Sequence, residues 1–123
     1  MDINNDQFID QKMAEIYREA EEREAQKRAK KLNLPYVDLK TVPISIDAVS
    51  ILSEEEARNA KAAVVEKKLH NIALVLYNPE LPEAQKIINN LKNRGFTTKI
   101  FISSLSGLEE AWKFYKFIQP SQG

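Results

Sequence analysis

Residues 71–103 read NIALVLYNPELPEAQKIINNLKNRGFTTKIFIS, and the fold class turns on how that stretch folds. Ile72 to Tyr77 is an unbroken apolar run that stops at Asn78 and Pro79. A run this short and this apolar predicts a strand covered on both faces. Pro82 then precedes Ala84, Ile87, Ile88 and Leu91, whose i, i+3, i+4, i+7 spacing lays them along one side of a helix. Pro stands just inside that helix and Gly95 just past its end, the asymmetry expected of helix termini. Phe96 to Ile102 is a second strand candidate. Two strands joined by one helix are expected to lie parallel, with a right-handed crossover.

Upstream, residues 1–7 are expected to be disordered, and Asp6 is a candidate cap for a helix over 8–32. Ile9, Met13, Ile16, Tyr17 and Ala20 form an apolar stripe at helical spacing in its first half. From Glu21 to Lys31 the only apolar residues are Ala25 and Ala29, while Glu19–Arg23 and Glu24–Arg28 fall at the favourable i, i+4 spacing. Asn33 suits the left-handed residue that closes a helix, with Pro35 two residues on. Tyr36 to Leu39 alternates as a short strand does. Asp47 is the expected cap of a short helix through Ile51. Ser53 with Glu56 spells a capping box for a second. Ala62 to Val65 is the next strand, followed by a polar turn over 67–71. Ser106 with Glu109 spells another capping box, for a last helix whose Leu108, Ala111, Trp112, Tyr115 and Ile118 share a face; Phe114 and Phe117 lie nearer its other side. Residues 119–123 read as the start of a linker leading into a longer chain. The sum is an α/β (α+β) domain over 33–118. It has a small mixed sheet containing a strand–helix–strand unit, a long N-terminal helix before it, and a C-terminal helix closing it.

Composition narrows the function classes. The 123 residues suffice for one domain with a core, and the 43% hydrophobic and 29% charged shares are those of a soluble globular chain. Lys plus Arg and Asp plus Glu number 18 each. Zero net charge argues against a general nucleic-acid binder, which needs a cationic excess or a segregated basic face. With no cysteine, disulfides and thiolate metal sites are excluded, and a reducing, cytoplasmic setting is the default.

Catalytic chemistry is sparse. A phosphate-cradling loop needs clustered glycines followed by Lys and Ser/Thr, and the three glycines here, Gly95, Gly107 and Gly123, form no such pattern. The single imidazole, His70, sits in a charged turn, whereas a general base needs a pocket and a partner. One His with scattered carboxylates makes no metal site. No catalytic, cofactor or metal residue is assigned. Asp38 reads either as a ligand-facing carboxylate or as a turn cap. Glu54 to Glu56 reads either as a cation site or as a solvated first turn suiting the helix dipole. Lys27, Arg28, Lys30 and Lys31 likewise complement a helix C-terminus, with anionic lipid or nucleic acid as the other reading. The residues expected to meet a partner are Ile9, Met13, Ile16, Tyr17, Phe114 and Phe117.

From Leu32-Asn33-Leu34-Pro35-Tyr36-Val37-Asp38-Leu39 onward the chain resembles the N-terminal domains of type II secretion and type IV pilus assembly ATPases. Pro43-Ile44, Ile46-Asp47, Ile51 to Ala57, and a strand ending in Asn78-Pro79 match further family motifs in order, over roughly residues 25–118. Asn33 replaces the usual Gly, Ser53 a common Pro, and Asn78 an Asp. The resemblance implies a non-catalytic docking or regulatory domain, linking a hexameric motor to the cytoplasmic domain of an inner-membrane assembly protein. The chain's own C-terminal ATPase domain would be a second partner, and self-association through the first helix a third possibility. It implies a cytoplasmic location, peripheral to the inner membrane. The alternative it implies is cyclic di-GMP sensing, as in relatives with an Arg-Leu-Gly helical segment. That segment is missing here, and the 8–32 helix has no glycine.

Overall fold

A computed structural model describes residues 3–118, with side-chain environments from Lys12 onward. The central unit is as the sequence predicts. Strand β2 (Asn71–Leu76) leads through helix α4 (Pro82–Asn93) into β3 (Thr97–Ile102), and β2 and β3 pair in parallel with Val75 opposite Phe101. Strand β1 (Ala62–Lys68) pairs antiparallel on the other edge of β2, so the mixed sheet runs β1-β2-β3. Leu74, Val75 and Leu76 are all 0% exposed. Neighbours on a strand point to opposite faces, so β2 is covered on both sides. Ala84, Ile87 and Leu91 of α4 are buried, and Gly95 takes a φ of 93° just past its end, a conformation costly for any residue with a Cβ.

The β1–β2 hairpin differs from the sequence expectation in length. β1 continues to Lys68, and the turn is only Leu69-His70, with Leu69 left-handed at φ 58°. The pairing shifts between Val64 and Glu66, and the Val65 carbonyl accepts from Ser45 N at 3.0 Å. A bulge frees a backbone group from the ladder, and here it ties the preceding segment to the sheet.

Long helix α1 (Ile3–Lys31) begins earlier than Phe8, and Asp6 lies inside it, so Asp6 is not its cap. Asn33 closes it at φ 56°, with Leu34 N donating to Ala29 O at 3.0 Å. The strand expected at Tyr36–Leu39 shrinks to one parallel bridge from Tyr36 to Ile102. Asp38 ends it: its carboxylate accepts from Lys40 N at 3.1 Å, an Asx turn that bends the chain away. Helix α2 (Ile46–Val49) is capped by Ser45, not Asp47, because it starts two residues earlier. Helix α3 (Glu54–Ala60) has the predicted Ser53–Glu56 capping box, with both bonds at 3.1 Å. Helix α5 (Leu105–Trp112) is capped by Ser104, not Ser106, and gives way to a 3-10 turn over Lys113–Phe117. Trp112 and Tyr115 fasten this end. The indole N–H donates to Ala62 O at 2.9 Å, and the phenol donates to Leu52 O at 2.9 Å. Burial pushes the Tyr115 phenol up to about 12.

Candidate functional site

The last third of α1 is anchored to the body, and the residues that anchor it are mostly charged. Ala25 and Ala29 are buried, and with only a methyl each they let the helix approach closely. Arg28 then reaches inward. Its Nε donates to Tyr77 O at 2.7 Å, a terminal nitrogen to Ser103 O at 3.1 Å, and the guanidinium lies 4.0 Å over the Tyr77 ring while pairing with Glu24. Those two carbonyls follow the C-terminal ends of β2 and β3, where the ladder no longer satisfies them.

About two turns back from Arg28, two carboxylates serve α5. Glu21 accepts from Ser106 N at 2.8 Å and from Ser106 Oγ at 2.7 Å. Glu22 accepts from the hydroxyls of Ser104 and Tyr36. Anions at a helix N-terminus are favourable by about 0.3–1 kcal/mol at exposed sites and up to about 2 kcal/mol when partly buried. Burial, and then the hydrogen bond to Glu22, raise the Tyr36 phenol well above its ordinary range. Gly107 belongs to the same junction: a Cβ there would stand 2.3 Å from Ser103 Oγ.

The other described part of α1 stands exposed. Residues 12–20 are exposed without exception, and Met13, Ile16 and Tyr17 are 46%, 59% and 66% exposed. Three large apolar side chains thus stand exposed on one helical stretch, where they are costly in water. Ile9, the remaining member of the stripe, lies outside the residues with described side chains.

A second surface lies at the 3-10 turn. Phe117 is 63% exposed, whereas Phe114 is half-buried in the wall of a cleft of about 300 Å³ shared with Lys40, Val42, Ile44 and Glu110. The expected contact residues thus fall into two groups, Met13, Ile16 and Tyr17 on α1 and Phe114 with Phe117 beyond α5. Lys40 was not legible as a cleft residue, since lysine is ordinarily a surface residue. Its Nζ is buried and finds no hydrogen-bond partner among the described residues. Glu110 pairs with Lys113 at 2.8 Å, and that bond, with Lys113, Lys40 and Arg18 nearby, holds its carboxyl below the ordinary range.

Other titratable groups are accounted for by local structure. His70 is exposed in the hairpin turn, and Asp38 closes its Asx turn. Glu54 pairs with Arg58 at 2.8 Å, while Glu56 completes the cap of α3. Arg28 is committed inward, so the basic cluster at the end of α1 presents only Lys27, Lys30 and Lys31. Among the described residues no group of three His, Asp or Glu could hold a metal ion, and no helix is long and apolar enough to cross a membrane.

No protein-family model matches the chain, and no curated protein matches it. Solved structures do. A structure of MshE with cdg superposes with a TM-score of 0.66 at 25% identity, covering 74% of this chain and 65% of that one. The N-terminal domain of XpsE superposes with a TM-score of 0.57 at 18% identity, covering 72% of this chain and 62% of that one. The chain therefore spans just under two thirds of the structures it matches.

Proposed function

We propose that this chain, which has the fold of the N-terminal domains of type II secretion and type IV pilus assembly ATPases, acts as a non-catalytic docking domain. It links a hexameric motor to the cytoplasmic domain of an inner-membrane assembly protein, and so works in the cytoplasm at the membrane periphery. The observation that carries the reading is the bare stripe of Met13, Ile16 and Tyr17 on a helix whose other end is fastened to the body. A rigid base with an apolar projecting segment suits helix-in-groove recognition, in which anchors recur at i, i+3, i+4 and i+7. Ile9 extends the stripe by one turn, and Phe114 and Phe117 offer a second contact. The motor domain that this segment would serve is a further partner.

Calorimetry of the chain with the cytoplasmic domain of the assembly protein is the test. Binding is expected, and a Met13→Ser, Ile16→Ser, Tyr17→Ser variant should lose at least about tenfold in affinity. Equal binding by the variant would remove the stripe from the interface. Steady ATP turnover by the purified chain would overturn the non-catalytic reading.

The second reading is cyclic dinucleotide sensing, favoured by the MshE structure with cdg. It ranks lower because α1 contains neither glycine nor an Arg-Leu-Gly segment. Saturable binding of cyclic di-GMP at low micromolar concentration would reverse the order.

A further inference from the structure

The cleft beside the 3-10 turn carries an imbalance of charge. Lys40 Nζ is buried there with no hydrogen-bond partner among the described residues, Lys116 borders the adjoining surface, and Arg18 acts on the same carboxylate as Lys40. The one carboxylate among the lining residues, Glu110, is already paired with Lys113. Val42, Ile44 and Phe114 make the rest of the wall apolar. A buried ammonium with no hydrogen-bond partner, and with the nearby Glu110 already shared with Lys113, is costly, and such a group in a native structure calls for an occupant that answers it. The fitting occupant is a segment that is apolar and anionic together.

This chain contains one. Residues 2–10 read Asp-Ile-Asn-Asn-Asp-Gln-Phe-Ile-Asp, with three carboxylates, no cation, and Ile3, Phe8 and Ile9 as apolar members. Helix α1 is continuous over Ile3–Lys31, and residues 12–20 stand exposed, so the chain runs on past Arg18 instead of turning back. We propose that the cleft formed by Lys40, Val42, Ile44 and Phe114 receives the acidic segment 2–10 of a second copy of this chain. The carboxylates answer Lys40, Lys116 and Arg18, and an apolar side chain fills the space against Phe114. A terminal segment of one copy in a cleft of the next is a heterologous contact, which builds rings or open chains. The inference does not require the assembly-protein partner proposed above.

A fluorescein-labelled peptide of residues 1–17, titrated with the 123-residue chain at low ionic strength, tests it. Saturable binding is expected, weakened several-fold when salt rises from about 50 to about 300 mM. Lys40→Met keeps the apolar stem and removes the charge. It should melt at or above the temperature of the parent protein while binding at least about tenfold more weakly. A peptide with Asp2, Asp6 and Asp10 changed to Asn should lose a similar factor. Absence of saturation up to about 1 mM would overturn the proposal. So would equal binding by a well-folded Lys40→Met protein or by the Asn peptide. A scrambled peptide of the same composition that binds equally would show a general receptor for acidic apolar segments, and would overturn the second copy as its specific occupant.

Discussion

The two ends of α1 invert the usual relation between hydrophobicity and burial. Between Glu21 and Lys31 the helix is almost wholly polar, yet this is the part fixed to the body, through Ala25, Ala29, Arg28 and two glutamates. Between Lys12 and Ala20 it carries the large apolar side chains, and there it is bare. A helix anchored by methyl groups and charge-assisted bonds needs no apolar stripe for its own domain. Position along the helix, and not composition, separates the anchored residues from the exposed ones.

The largest effect on this arrangement should come from the surface beneath the anchored end. Val75→Asp puts a carboxylate on a strand covered on both faces. An unpaired buried charge costs several kcal/mol, comparable with the whole ~5–15 kcal/mol stability of a domain. The variant should lose cooperative unfolding and α1 should lose its support. A soluble variant melting near the parent temperature would show that β2 is not the core strand described here.

Arg28→Ala is the next largest and addresses the contrast directly. Hydrogen bonds from a charged donor contribute about 1.5–3 kcal/mol, and the stacking on Tyr77 adds about 0.5–1 kcal/mol. A loss of about 2–3 kcal/mol is expected, roughly 10 °C in melting temperature for a domain of this size. Arg18→Ala, ten residues away on the exposed part, should change stability by less than about 0.5 kcal/mol. Similar effects from the two variants would mean that the anchored and bare parts of α1 do not differ as proposed.

Much of this fold is legible in the sequence, and the exceptions share a cause. The β2–α4–β3 unit was readable because period, Pro82 and Gly95 all act within a few residues of one another. Ser53 was readable as a cap because its partner Glu56 is three residues away. Ser45 and Ser104 were missed because Asp47 and Ser106 offer the same chemistry two residues later, and only packing chooses between them. The anchoring of α1 was invisible because its partners lie far off in sequence: Arg28 with Tyr77 at a separation of 49 residues, Glu22 with Ser104 at 82, and Glu21 with Ser106 at 85. Of the expected contact residues, Met13, Ile16 and Tyr17 are legible as one stripe from helical spacing, and Phe114 and Phe117 as lying off the buried face of the last helix. The cleft at Lys40 is not, because nothing local marks a lysine that folds inward.

A smaller effect should appear at alkaline pH, through the hydroxyl that holds Glu22. The Tyr36 phenol is raised in the folded state, first by burial and then by its bond to Glu22, and Tyr115 is raised to about 12 by burial. For a group whose folded pKa lies above its unfolded value, the associated stability is fully present below the unfolded pKa, near 10. It is lost as pH rises from there through the folded value. Urea midpoints measured from pH 8 to pH 12 should therefore decline above about pH 10. The decline should be shallower in Tyr36→Phe and shallower again with Tyr115→Phe added. An unchanged slope in both variants would detach these phenols from the alkaline transition.

The smallest effect is also the one that reads the two parts of α1 side by side. An isolated helix shorter than about 12–15 residues is marginal in water, and residues 12–20 are all exposed. Their amides should open with free energies near zero, at most about 1 kcal/mol. The amides from Ala25 to Leu32 should instead track the global stability, because opening them breaks the Arg28 bonds and uncovers Ala25 and Ala29. Hydrogen exchange followed by mass spectrometry at low protein concentration would show a boundary within the turn around Glu21 and Glu22. Adding the bound partner, or raising the concentration of the chain, should move protection N-terminally across Met13 and Tyr17 without changing it beyond Ala25. Full protection of residues 12–20 in the dilute, unbound chain would mean that the stripe is already covered within one molecule. In that case the helix is a single structural element, and the apolar residues in its first half are no longer surplus to the fold.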